Sequence, residues 1–408
     1  MANVFPKHFY WGASTSSHQV EGGNNNDWKI WEKENADRLA QEARRKDLPD
    51  YVLRAEPSPL NPATYISGQA CDHYNRFEED FDIAKQLGHN AHRFSIEWSR
   101  VEPEEGKFDE KEIEHYRKVI AALRARGMEP FVTLWHWAIP LWLRDKGGAA
   151  SHEFAYFFAR YAERIAHACG DDARFWITIN EPMIWTANAY WRGVWPPQQT
   201  NMVTYVRVLR NLIAAHKAAY DGIKTTHADA HVGIAKNNIY FDGGAMKFMA
   251  HWWWNHWFLD RIRHCQDFIG LNYYFHNRMN GFRFNQNENE KTSDRGWEIY
   301  PEGIYHVLHE LKKYKKPIYI TENGVADARD IHREKFIKEH LHWVHKTMQE
   351  GVDARGYFYW SLLDNFEWDK GFWPRFGLVE MDYKTMKRTV RPSAFAYRDI
   401  IKTNGGNL

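Results

Sequence analysis

Two short stretches define the chemistry this chain could perform. In Trp176-Ile177-Thr178-Ile179-Asn180-Glu181-Pro182, four apolar or β-branched residues run into an amide, a carboxylate and a proline. In Pro317-Ile318-Tyr319-Ile320-Thr321-Glu322-Asn323-Gly324, a second strand-like run ends in an acid, an amide and a turn-forming glycine. A carboxylate is costly in a core, so each acid should face a polar cavity or be paired. Two carboxylates facing across a neutral polar ligand could cleave a glycosidic bond, one as acid and one as nucleophile or base. Taken singly, Glu181 reads equally well as a rim residue or a helix-capping acid. That bland arrangement would have to occur twice, so the pair is more specific than either half. Arg93 reads as a structural partner of Glu97 or another carboxylate, or as the guanidinium that keeps Glu322 ionised; the second reading is favoured.

Acids so far apart in the chain meet only if the fold brings their strands together. Strand-like runs begin near residues 8, 90, 130, 174, 231, 267, 317 and 354, with helix-like stretches between them from residue 72 onward. The helices expected over 72–87 and 109–126 each end near a glycine, Gly88 and Gly127. Eight strands alternating with helices predict an α/β fold, a (β/α)8 TIM barrel, in a single domain spanning residues 1–408. A doubly wound open sheet is the alternative, but no G-x-G-x-x-G or G-x-x-x-x-G-K-[ST] turn follows an early strand. Residues 21–70, rich in polar residues and carrying four prolines, read as a long folded loop with a small helical patch at AQEARRKDL and with Trp28 and Trp31 against the body.

In such a barrel the site lies at the carboxyl ends of the strands. There the sequence places Gln19 and Glu21, Arg93 and Glu97, His136 and Trp137, Asn180 and Glu181, then Asn237 and Asn238. The later strands add Asn272, Tyr273 and Tyr274, then Glu322 and Asn323, then Trp360, Asp364 and Glu367. The set is too polar for a core.

Composition narrows the partners. With 54 basic and 53 acidic side chains, net charge +1, no overall field draws in nucleic acid or an anionic membrane. Aromatic residues make up 16% of the chain, with 20 Trp, and flat apolar faces with a polar edge suit sugar rings. No apolar stretch approaches the roughly 20 residues that span a bilayer. Three cysteines without zinc-like spacing, and an amino terminus lacking a cationic and apolar leader, suggest an unexported, cytoplasmic protein with free thiols. The tract HWWWNHWF tempts as a metal or haem box, but an i, i+5 spacing is not expected to put His251 and His256 on one helical face. A packed aromatic helix is the better reading, and His342 and His345 read as solvated. No metal and no cofactor is expected.

Seven blocks in order, SSHQVEGG, RFSIEWSR, TLWHW, TINEP, GLNYY, ITENG and GYFYWSLLDNFEWDKGFWPRFGL, resemble glycoside hydrolase family 1, the retaining β-glycosidases. The resemblance implies Glu181 as general acid and base, Glu322 as nucleophile, and Arg93 and Tyr274 beside the nucleophile. It implies Asn180 on the sugar's 2-hydroxyl, Gln19, His136, Trp137, Glu367 and Trp368 on other hydroxyls, and Trp360 under the ring. The expected substrate is a β-glucoside or related neutral β-hexoside, split with retention through a glycosyl-enzyme intermediate. Glu181 should then be protonated when free, by burial and repulsion from Glu322. Glu367 and Trp368 stand where phosphosugar-specific members carry a serine and lysine loop, which favours an unphosphorylated sugar. The chain departs from the family at His18, where Tyr is usual, at Ala138, where Asp is usual, and in a short connection between the fifth and sixth strands. That shortening predicts a wider mouth, or a partner surface formed by Trp252 to Trp254. A catalytically silent sugar-binding barrel is the competing reading.

Overall fold

The computed structural model describes residues 4–408. Its eight parallel strands are β1 Tyr10–Ser14, β2 Ala91–Ser95, β3 Glu129–Trp135, β4 Phe175–Asn180, β5 His231–Asn237, β6 Phe268–Asn272, β7 Ile318–Asn323 and β8 Ala354–Trp360. They close into one barrel in chain order, with β1 paired to both β2 and β8. Each strand is almost wholly buried, as a parallel sheet covered by helices must be.

The barrel is solid below the site. Ala91, Phe131, Phe175, Ile177, Ala235, Phe268, Tyr319 and Phe358 fill its interior, with Phe131 and Phe175 stacked at 4.2 Å between centroids. The polar groups of the site gather above this apolar plug, at the strands' carboxyl ends. Outside the strands lie the crossover helices His73–Gln86, Glu110–Ala125, Phe154–Cys169, Met202–Thr226, Glu302–Leu311 and Arg333–Gln349, with Pro392–Lys402 last. Gly88 and Gly127 do adopt positive φ beyond the first two, 79° and 71°, which suits glycine. Among the described residues no helix is long and apolar enough to cross a membrane.

Several local expectations need correction. The excursion after β1 holds a 17-residue helix, Asp27–Ala43, which we label α1. Asn26 caps it by accepting from Lys29 N, and Trp28, Trp31, Asn35 and Leu39 form its buried stripe. Of AQEARRKDL only Ala40–Ala43 is helical; the tertiary contact of the two tryptophans, rather than local propensity, sets where the helix lies. His345 is buried and packs its ring 5.3 Å from Phe5, while His342 is exposed. Between β5 and β6, Trp252–His256 forms a π turn, flanked by the helices Lys247–His251 and Trp257–Ile262. Because a π turn closes i to i+5, both histidines reach one carboxylate: His251 Nδ1 lies 3.0 Å and His256 Nε2 3.4 Å from Glu310. Trp253 and Trp254 pack against the core, so of the three tryptophans only Trp252 is exposed. Gly324 is needed for close approach and not for a turn: a Cβ there would lie 1.9 Å from the Trp360 carbonyl oxygen.

Candidate active site

Above the plug opens a cavity of about 560 Å³, within the range of small-ligand sites. Ten of the expected site residues line it: Gln19, His136, Trp137, Glu181, Asn237, Tyr274, Glu322, Trp360, Glu367 and Trp368. Arg93 and Asn180 lie buried beneath its floor. Glu21, Glu97 and Asp364 do not join them. Glu21 binds Arg100 and Tyr116, Glu97 accepts from Ser17, Asn26 and Ser99, and Asp364 is enclosed by Arg375 and Arg391. Strand-end position alone does not separate a residue on the barrel mouth from one in the packing of the loops around it.

Arg93 organises the floor. From β2 its Nη1 donates to Glu322 Oε1 at 2.5 Å, its Nη2 to Asn180 Oδ1 at 2.7 Å and its Nε to Thr133 Oγ1 at 3.0 Å. One planar guanidinium thus fixes groups from β3, β4 and β7. Its partner is Glu322 and not Glu97. Tyr274 completes that carboxylate's surroundings, its hydroxyl donating to Glu322 Oε2 at 2.6 Å.

Glu181 sits in different surroundings. Its Oε1 accepts from Asn272 Nδ2 at 2.8 Å, and no cation ion-pairs with it among the described residues. Burial first, then repulsion from Glu322, raises its carboxyl to about 8, against the smaller opposing pull of Asn272, Arg93 and Lys236. The residue follows β4 with φ 43°, and Trp137 and Trp368 also line the cavity at positive φ, 76° and 51°. Three non-glycine residues in the left-handed region cost about 1–3 kcal/mol each and persist only where the surroundings fix them.

The remaining lining groups are held in defined states. His136 Nε2 accepts from Asn180 Nδ2 at 3.0 Å, so this hydrogen-bond network assigns the ring proton to Nδ1. Burial and Arg93 keep the imidazole neutral, and its Nδ1 has no partner among the described residues. Gln19 Nε2 donates to Asn365, to the Phe366 carbonyl and, at 3.4 Å, to Glu367 Oε2. Trp137 Nε1 is spent on the Asn180 carbonyl, leaving its ring face for packing against Trp195 and Trp368. His18, the departure from the family pattern, pairs with Glu32 at 2.7 Å and stacks under Trp368.

Arg295 and Lys236 escaped the sequence reading, and Asn272 was named there without its partner. Asn272 was visible as a strand-end amide, but nothing local tied it to Glu181. Arg295 donates to Glu367 Oε1 at 2.7 Å and stacks on Trp297; it comes from a long polar loop with no strand signal. Lys236 was visible only as a charge inside the strand run HVGIAKN.

A closed parallel barrel whose mouth sets two differently held glutamates among amides and tryptophan rings defines a sugar-cleaving barrel enzyme. The family model for glycosyl hydrolase family 1 matches residues 1–242 and 258–406, and the chain belongs to that family. Beta-glucosidase A of Thermotoga maritima is 35% identical over 459 aligned residues, covering 98% of each chain. A beta-galactosidase of Sulfolobus acidocaldarius is 31% identical, covering 98% of this chain and 96% of its own. Among solved structures, a beta-glycosidase from Pyrococcus horikoshii superimposes with TM-score 0.87 at 36% identity, covering 99% of this chain and 96% of that one. The Thermotoga maritima beta-glucosidase in complex with castanospermine gives TM-score 0.84 at 32% identity, over 98% and 99% of the two chains. The chain is therefore a glycoside hydrolase of the β-glucosidase and β-galactosidase kind. The family match omits residues 243–257, the segment that carries the π turn.

Proposed function

We propose that the protein hydrolyses β-glucosides and related neutral, unphosphorylated β-hexosides with retention of configuration. The observation that carries this reading is the contrast between the two glutamates on one cavity. Glu322 receives two strong donors, Arg93 and Tyr274, one on each oxygen, which hold its carboxyl group oriented for attack. Glu181 is buried with a raised proton affinity and is suited to hold a proton near neutral pH.

In the first step a Glu322 oxygen bonds to the anomeric carbon as the bond to the leaving oxygen breaks. Glu181 delivers its proton to that oxygen. In the second step water adds to the anomeric carbon, its proton passes to the now ionised Glu181, and the ester to Glu322 breaks. Two inversions give net retention. His136, Asn180, Gln19 and Glu367 are assigned to the sugar hydroxyls, with Trp360 beneath the ring and Trp137 and Trp368 closing the pocket. The inhibitor complexes of the Thermotoga maritima relative support a small sugar-like ligand here.

The experiment separates the two carboxylates. With an aryl β-glucoside carrying an activated leaving group, Glu181→Ala should still release a burst of phenol, followed by slow turnover. Glu322→Ala should release none. A burst from Glu322→Ala comparable with the unmutated enzyme would overturn the assignment, and product of inverted configuration by NMR would overturn the mechanism.

A further inference from the structure

Lys236 is a fully buried cation that the reaction scheme above does not use. Its neighbours on β5, Ala235 and Asn237, face the barrel interior and the cavity, so strand alternation turns Lys236 outward, behind the site. Its Nζ donates to the Asn237 carbonyl at 2.5 Å and to Asn238 Oδ1 at 3.3 Å. Among the described residues no carboxylate ion-pairs with it. The ring of Trp254 covers it, with its centroid 5.7 Å from Nζ, and Trp254 Nε1 also reaches Asn237 Oδ1 at 3.5 Å. Trp254 belongs to residues 243–257, the segment outside the family match.

This cation is joined to Glu181. Asn238, which it holds, donates from its backbone N to the Asn272 carbonyl at 3.2 Å, and Asn272 Nδ2 donates to Glu181 Oε1 at 2.8 Å. Glu181 N in turn donates to the Ala235 carbonyl at 2.8 Å, one residue before Lys236. A charge sealed from water and not neutralised by a paired acid keeps its field over such distances, because little solvent screens it.

We infer that Lys236, sealed by Trp254, is a positioning residue for the general acid and base, its charge favouring the ionised form of Glu181. This inference rests on the acid–base role proposed above for Glu181. The groups that bear on Glu181 are Glu322 on β7, Arg93 on β2, Tyr274 after β6 and Lys236 on β5. Before reaction the negative Glu322 opposes the two cations and Glu181 keeps its proton. Once Glu322 is esterified its charge is gone, and Arg93 and Lys236 act without opposition. Glu181 then becomes the base that the second step needs. Burial pushes the Lys236 ammonium down, and the opposing pull of Glu181 is the smaller effect, leaving it at about 7.

The test is the pH dependence of kcat/KM on an activated aryl β-glucoside, whose alkaline limb reports loss of the acid's proton. Lys236→Met should move that limb upward by about half a pH unit or more, a roughly threefold tighter hold on the proton. Lys236→Arg should leave it near its original position. Trp254→Leu, which admits water to the cation, should move the limb the same way as Lys236→Met. A limb unmoved in Lys236→Met, with kcat reduced evenly across pH, assigns the lysine a structural role only and overturns the inference. Should Lys236→Met fail to fold by thermal melt, Trp254→Leu decides, and an unmoved limb there overturns it equally. Glu181→Gln separates the two readings: if the alkaline limb survives in that variant, the assignment of Glu181 fails, whatever Lys236 does.

Discussion

Glu367 shows how a single residue's state depends on partners the sequence does not adjoin. Burial raises its carboxyl to about 7, and Arg295, 2.7 Å away, pulls in the opposite direction. An ionised carboxylate accepts hydroxyl hydrogen bonds more strongly than the neutral acid, so Arg295 both orients the group and favours its charged form. Arg295→Met should lower kcat/KM on a β-glucoside about tenfold, as expected for one charge-assisted hydrogen bond of about 1.5 kcal/mol. Without the guanidinium the Glu367 proton is held more tightly, so the defect should be larger at pH 6 than at pH 8. A defect equal at both pH values would mean that Arg295 acts only through shape. The same principle separates Glu181 from Glu322, which share a residue type and a strand-end position. The two acids were legible as a pair from their motifs, whereas the contacts of Asn272, Arg295 and Lys236 were not, because their influence runs through contacts between distant strands.

The connection between β5 and β6 is the element that differs most from expectation. A shortened link carrying three consecutive tryptophans could have left the mouth open. Its π turn aims His251 and His256 at Glu310 and lays Trp254 over Lys236. Burial pushes the Glu310 carboxyl up, but hydrogen bonds and charge from the two histidines outweigh it and bring the group down to about 2. A carboxyl depressed in the folded state contributes stability above its ordinary pKa of about 4.5, and that contribution is lost as pH falls toward 2. Glu310→Gln should therefore destabilise the protein by about 1–3 kcal/mol in urea unfolding at pH 6, with a smaller difference at pH 3. A difference that grows toward low pH would contradict this ion-pair account. Helical periodicity predicted a helix here correctly in kind. It could not predict the extra residue in the turn, because a π turn is selected by the contacts it makes and not by local propensity.

At the scale of the whole molecule, closure is what makes the site, and the C-terminal region secures closure. Asp364, just beyond β8, accepts from Arg391 through both oxygens at 2.9 Å, from Arg375 at 3.2 Å and from Gly377 N at 2.8 Å. Burial raises this carboxyl, but the two guanidinium groups hold it below the ordinary aspartate range. The cluster ties β8 to the strand pair Val379–Asp382 and Lys387–Val390 and to the last helix. Asp364→Asn leaves two buried cations short of a counter-charge and should cost about 3–5 kcal/mol in denaturant unfolding. A loss below about 1 kcal/mol would show that the cluster does not help to hold the barrel closed. Sequence alone determined the eight strands, their alternation with helices, and the acids at the ends of the fourth and seventh, because strand periodicity and strand-ending motifs are local and survive without knowledge of neighbours. Only the tertiary structure decided which polar strand-end residues face the cavity, that Arg93 serves Glu322 and not Glu97, and that Lys236 lies behind Glu181. Those outcomes follow from barrel register and burial, which arise when distant strands close around a common axis and exclude water between them.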